Sequence, residues 1–273
     1  MKIMKILNNN AVIVTDGNQE KIAIGAGVAF NKQKKDIVNP AKIEKLFVVK
    51  ENEKLQELIM RIPEEHLLIS EEIIAYAEQQ LGTSLNEHIL LALTDHLSFA
   101  IERTREGIYL QNKLLQEIKM MYREEFNIGI WAINHVKEKL QIELPMDEAA
   151  FIALHVHTMK IQGGDLHETV KQTAIVKDMV DSIQHNLNIT FNENSLAFER
   201  LMTHLRFALN RVHHYEAHSL DEEMLAMIKK KFKRSYRSAM NVAKKVAANY
   251  GIELPEEELG YITLHIERLK KFQ

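Results

Sequence analysis

Two hydrophobic rhythms divide the chain. Over the first fifty residues apolar positions alternate or run at strand length: KIMKIL at 2–7, AVIVT at 11–15, EKIAIG at 20–25 and IEKLFVV at 43–49. Asp16-Gly17 between the second and third runs is a strong hairpin signal. This pattern predicts a small antiparallel sheet of about four strands. From about Lys54 the period becomes 3.6 and predicts helices over 53–61, 70–81, 86–105, 109–125, 128–140 and 147–161. Gly163-Gly164-Asp165 marks a linker, after which helices are expected at 171–187, 192–214, 220–233, 235–250 and 256–271.

The helical part is written twice. DHLSFAIER at 95–103 returns as THLRFALNR at 203–211, and IELP at 142–145 with LH at 154–155 returns as IELP at 252–255 with LH at 264–265. The offsets of 108 and 110 residues are those of a duplicated domain, too long for a solenoid repeat. The expected architecture is multidomain: a β-sheet domain at 1–55 and two duplicated all-α helical bundles at 63–168 and 169–273. A sheet of some 50 residues buries little surface, so it is expected to pair with a second copy of itself.

Composition narrows the chemistry. Cysteine is absent, which removes disulfides, thiolate metal sites and cysteine nucleophiles. No run approaches a membrane span and the start lacks a signal-peptide core, so a cytoplasmic protein without membrane insertion is expected. The net charge of −3 hides an asymmetry: residues 1–55 carry ten Lys, two Asp and four Glu, a basic head on an acidic body. Such a head suits a polyanion.

Each helical copy holds two histidines in matching places, His96 and His155, then His204 and His265. Helical spacing puts Leu93, Ala100 and Arg103 on the side of His96, and Leu201, Ala208 and Arg211 on that of His204. His155 lies over Phe151, Ile152 and Met159, and His265 over Tyr261, Ile262 and Leu269. A single histidine on an apolar face is commonly a satisfied core residue. Four that keep a titratable group there point to function. A metal site is disfavoured: residues i and i+2, as in His155-Val156-His157, point about 200° apart on a helix, and HExxH is absent. GxSxG, Walker A and GxGxxG are absent too, so no enzyme, cofactor or catalytic residue is expected. A neutral imidazole can instead accept a phosphoryl group from another protein's phosphohistidine. That places strong negative charge in a contact face, where Arg103 and Arg211 could meet it and a carboxylate such as Asp95 would oppose it.

In the head, Asn8, Asn9 and Asn10, the Gly25-Ala26-Gly27 turn and Phe30-Asn31-Lys32 bring amides, bare backbone and one aromatic together. That surface suits structured RNA, with amides on base edges, a ring on an unpaired base and lysines on phosphates. The bland alternative is turn-forming Asn and Gly with Phe30 in the core.

MKIMKILNNNAVIV, IAIGAGVAFNKQKKD, IEKLF and the twin DHLSFAIER and FIALH blocks resemble the BglG/SacY/LicT family of bacterial transcriptional antiterminators, along essentially the whole chain. The resemblance implies an RNA-binding co-antiterminator domain and two phosphotransferase-system regulation domains, in that order. As a homodimer, the head would bind an RNA hairpin in the leader of a sugar-utilisation operon, for β-glucosides, and prevent a terminator from forming. RNA-contacting positions fall on Lys5, Asn8, Asn10, Gly25, Ala26, Gly27, Phe30, Asn31 and Lys32. Some relatives carry arginine where Ala26 stands. Phosphorylation falls on His96, His155, His204 and His265. The sugar permease would act on the first regulatory domain and switch the protein off; the phosphocarrier HPr would act on the second and switch it on. His157 competes with His155, and Thr203 in place of Asp95 leaves open whether the two copies orient their histidines alike. The alternatives are a helical metal- or ligand-sensing protein and a DNA-binding regulator with such regulation domains, which requires a helix-turn-helix before residue 55.

Overall fold

β-Branched residues at two-residue spacing build the head. In the computed structural model, which describes residues 1–16, 19–48, 60–160, 164–193, 195–214 and 220–270, strands β1 (Lys2–Asn8), β2 (Ala11–Asp16), β3 (Gln19–Ile24) and β4 (Lys45–Val48) form one antiparallel meander in the order 1-2-3-4. Gly17 of the expected turn lies outside the described residues, but Asp16 pairs with Gln19 across it. One face packs Ile3, Val12, Val14, Ala23, Val28, Ala29 and Val38 into a core. Ile13, Ile22 and Ile24 on the alternate positions are also buried, so the central strands are covered on both faces. The loop after Phe30 returns along β1, where Lys35 N–H donates to the Ile3 carbonyl and Ile3 N–H to that of Asp36. No helix-turn-helix occurs among the described residues before 55, as the strand pattern required.

Ten α-helices follow among the described residues. They are α1 (Glu64–Leu81), α2 (Ile89–Arg105), α3 (Leu115–Met121), α4 (Arg123–Leu140), α5 (Met146–Lys160), α6 (Leu166–Leu187), α7 (Leu196–His214), α8 (Glu222–Lys231), α9 (Lys233–Tyr250) and α10 (Glu256–Lys270). Residues 53–59 of the first expected helix lie outside the described residues. The caps follow the sequence chemistry: Asp165 accepts from His167 N–H and Asp221 from Glu223 N–H, satisfying first-turn donors that would otherwise lack partners. Gly82, Asn188 and Gly251 close helices in the left-handed conformation.

The helices expected at 109–125 and 128–140 divide instead at Tyr122. This residue leaves helical geometry at φ −128°, ψ 51° and begins α4 immediately afterwards. Phe232 does the same in the second copy, at φ −117°, ψ 45°. Neither break carries Gly or Pro; packing imposes it. Tyr122 is buried with its hydroxyl 3.3 Å from that of Thr173 on α6. The chain forms two compact units, 1–111 with 124–163 and 112–123 with 164–273, so α3 belongs with the second bundle. There Lys177 pairs with Glu117 at 3.1 Å and the Arg206 guanidinium donates to the Met121 carbonyl.

Candidate functional site

In each bundle two helices carry the matched histidines against one another, α2 on α5 and α7 on α10. The rings of His96 and His155 lie 5.0 Å apart, and those of His204 and His265 lie 4.8 Å apart. Phe151 flanks the first pair at 5.6 Å from His96, and Tyr261 the second at 5.7 Å from His204. The orientation left open by Thr203 is resolved: both leading histidines point the same way. Asp95 faces Arg61 at 3.4 Å rather than the imidazole beside it.

Each pair is completed by a carboxylate that the periodicity did not single out. Glu148 and Glu258 stand in the first turns of α5 and α10, where helix polarity favours an anion. Seven residues separate each from its histidine, two turns along one helical face, so His155 and Glu148 share a side. Glu148 Oε2 lies 3.0 Å from His96 Nε2 and its Oε1 3.1 Å from Arg103 Nη2. Glu258 Oε2 lies 3.2 Å from His204 Nε2, while its Oε1 accepts from Arg211 Nε at 2.8 Å and lies 2.7 Å from Nη2. The imidazoles approach at ion-pair distance but out of line for a hydrogen bond, so these contacts are chiefly electrostatic. Burial pushes both carboxyls up, yet the adjacent histidine and arginine outweigh it and hold them below the ordinary carboxylate range. Arg103 and Arg211, expected to await incoming phosphate, are already engaged.

The second histidine of each pair has a drier setting. His155 is 9% exposed with Nδ1 buried and unpartnered; burial, and then the charge at His96, push it down to about 3. His265 is half-buried and pushed down to about 4 by burial, then by His204, Arg268 and Arg200. Both rings therefore remain neutral in the fold at physiological pH. His157 is directed elsewhere: its Nδ1 meets Glu125 of α4 at 3.0 Å, and Lys160 meets the same oxygen at 2.9 Å. Burial raises the Glu125 carboxyl, but these two partners bring it down to about 2. His213 and His214 end α7; their side chains lie outside the described residues.

The head's expected contact residues gather around two linked turns. Asn8 Oδ1 accepts from Asn10 N–H at 2.9 Å. Asn10 is 4% exposed, and its Oδ1 accepts from Gly27 N–H, so this amide ties the β1–β2 turn to the 25–27 turn. Asn9 is exposed and its carbonyl accepts from Ala29 N–H. Gly25 packs directly on the following loop, where a Cβ would lie 1.9 Å from the Lys42 carbonyl oxygen. Gly27 stands at φ +62° and Asn31 at φ +54°, left-handed positions that Gly and Asn adopt most readily. Ala26 is exposed and donates its N–H to Glu44 at 3.2 Å. Phe30 is 62% exposed, so the alternative of a core phenylalanine does not hold. Asn31 is exposed, Lys32 half-buried, and Lys5 exposed with its ammonium 3.4 Å from Met60 Sδ. Among the described residues no group of three His, Asp or Glu is arranged to hold a metal ion, and no helix is long and apolar enough to cross a membrane.

Comparison with known proteins bears on both regions. A CAT RNA binding domain model matches residues 1–56, and a PRD domain model matches 71–158 and again 177–269. The chain is 38% identical to the transcription antiterminator LicT of Bacillus subtilis, over 99% of both chains. It is 36% identical to the beta-glucoside operon antiterminator of Dickeya chrysanthemi, over 99% of this chain and 97% of the other. A crystal structure of GlcT CAT-PRDI superposes with a TM-score of 0.53 at 35% identity, covering 58% of this chain and 96% of that one. These relatives are regulators named for antitermination, not enzymes. A CAT RNA binding domain followed by two PRD domains, along nearly the full length of such relatives, places the chain in the family of CAT- and PRD-containing transcription antiterminators.

Proposed function

We propose that the protein binds, as a homodimer, an RNA hairpin in the leader of a sugar-utilisation transcript and thereby prevents a terminator from forming. Phosphorylation of the paired histidines controls that grip. In this reading the sugar-specific permease of the phosphotransferase system phosphorylates His96 and His155 and inhibits. HPr phosphorylates His204 and His265 and activates. The naming of a relative for a beta-glucoside operon favours β-glucosides as the signal.

The observation that carries the regulatory half is the twofold recurrence of a partly buried imidazole pair at a helix contact, each with its own arginine–carboxylate partner. A phosphoryl group arriving there brings nearly two negative charges beside Glu148 or Glu258. The added negative charge meets a carboxylate already held by its arginine, and the helix contact has to rearrange around it. His155, the most enclosed of the four, becomes reachable only as α2 and α5 shift. The RNA half is supported by exposed Phe30 beside a bare turn on a basic head. The proteins and hairpin can be tested directly. Replacing His204 and His265 by Ala should abolish HPr-dependent activation of a terminator-reporter transcript and leave hairpin binding by the head intact. Retained HPr dependence refutes the assignment.

A further inference from the structure

Glu148 and Glu258 divide their oxygens identically. Oε1 is taken by arginine and Oε2 faces Nε2 of the leading histidine in both bundles. Nε2 of both His96 and His204 is sealed from solvent. A carboxylate pinned by a guanidinium cannot turn away. It presents negative charge to whichever imidazole nitrogen faces it, which repels a lone pair and attracts an N–H even where alignment is oblique. A neutral imidazole has only one N–H. With that proton on Nε2, Nδ1 is left bearing the nucleophilic lone pair.

We infer that Glu148 and Glu258 are positioning residues that fix the Nε2–H tautomer of His96 and His204 and thereby make Nδ1 the nitrogen that accepts phosphate. This rests on the reading that these histidines are phosphorylated at all. The transfer balances without moving a proton. The Nδ1 lone pair attacks the phosphorus of the donor protein's phosphohistidine, and the donor's P–N bond breaks. The donor imidazole keeps its own N–H and leaves neutral. The acceptor ring, now substituted on both nitrogens, carries the positive charge that the donor has lost. That charge forms about 3 Å from Glu148 or Glu258. The carboxylate stabilises the product much as a buried aspartate stabilises the imidazolium of a hydrolase triad. His155 and His265, kept neutral by burial, add no competing positive charge beside it.

Two measurements on the full chain test this. With ¹⁵N-labelled histidine rings at alkaline pH, long-range ¹H–¹⁵N correlations should show His96 and His204 protonated on Nε2 and bare on Nδ1; the reverse tautomer overturns the inference and requires no variant. The chain is then phosphorylated by phosphorylated HPr and, separately, by phosphoramidate, and the modified nitrogen is read by ³¹P–¹⁵N coupling. Nδ1-phosphohistidine at His204 is expected in both arms. Glu258→Gln should yield a mixture of the two isomers and slow transfer from HPr roughly a hundredfold. Dominant Nε2 phosphorylation of the unaltered chain, an unchanged isomer and rate in Glu258→Gln, or no labelling of His204 in either arm overturns it. Nδ1 labelling by phosphoramidate alone upholds the nitrogen choice while refuting HPr as the donor.

Discussion

The two regulatory bundles are one design with different surroundings, and the difference separates what the site requires from what it tolerates. Both keep His–Glu–Arg–His with the same oxygen on the same partner. Around that set some partners differ. The first bundle has His157 and Lys160 clamped on Glu125, and a stack of Tyr76 on Trp131 at 3.9 Å continuing to His135 at 4.6 Å. At the positions matching Trp131 and His135, 110 residues on, the second bundle has Asn241 and Lys245 lining an open polar cavity of about 310 Å³. Duplication explains a shared fold, but it does not explain why one face diverged from an aromatic stack to a polar cavity while four side chains kept their geometry.

The largest effect should come from emptying the shared set. Replacing Glu148 or Glu258 by Ala strands a partly buried arginine and histidine, and each change should destabilise its own bundle by about 3 kcal/mol in denaturant unfolding. Equal losses sharpen the comparison; a loss in one bundle alone breaks it.

Acid should act on the bundles unequally. His155 stays neutral in the fold down to about 3, whereas the unfolded chain takes up that proton near its ordinary value of about 6.5. Stability from this group is therefore lost as pH falls from about 6.5 towards 3. Glu125, brought down to about 2 in the fold, stabilises above its ordinary range, and this contribution is lost as pH falls from about 4.5 towards 2. The second bundle has His265, pushed down to about 4, and at the positions matching Glu125, His157 and Lys160 it has Ser235, Glu267 and Lys270, with the Ser235 hydroxyl donating to Glu267 and Lys270 pairing with Glu267 at 2.8 Å. Acid-induced loss of structure in the first bundle can be followed by Trp131 fluorescence, since Trp131 is the sole tryptophan. The smaller change His157→Gln removes one of two partners from Glu125. It should cost about 1–2 kcal/mol and leave phosphorylation of His155 unaffected, as read by ³¹P NMR.

A separate pH effect concerns Glu71 in the first bundle. Its carboxyl is pushed up to about 7 by burial and then by Glu44, with Lys45 opposing. A raised acid costs stability once the unfolded chain ionises, so the penalty grows between about pH 4.5 and 7. Glu71→Gln should raise the melting temperature at pH 8 and leave it unchanged at pH 4.

Periodicity locates the strands and most helices, because amphipathic spacing and turn residues are local properties, and the duplicated segments pick out the four paired histidines. What it misses is set by contacts distant in sequence. Glu148 and Glu258 read locally as helix-start carboxylates, and only the 110-residue offset shared with the histidines, joined to their seven-residue spacing, would have drawn them into the site. The break at Tyr122 has no local signal, since it is held by Thr173 on a later helix. Asn10 was expected to face RNA directly; its amide instead holds Gly27, so its contribution to binding would be through the shape of the turn. Phe30 was ambiguous in sequence because an aromatic in a small sheet is equally at home in the core.

The most direct measurement is the affinity of the full chain for its leader hairpin, by gel shift, before and after stoichiometric phosphorylation of His204 and His265 by HPr. Tighter binding on phosphorylation, lost in His204→Ala with His265→Ala and weakened by Phe30→Ala by about 1–3 kcal/mol, is the expected result. Hairpin affinity indifferent to phosphorylation of those two histidines would contradict it.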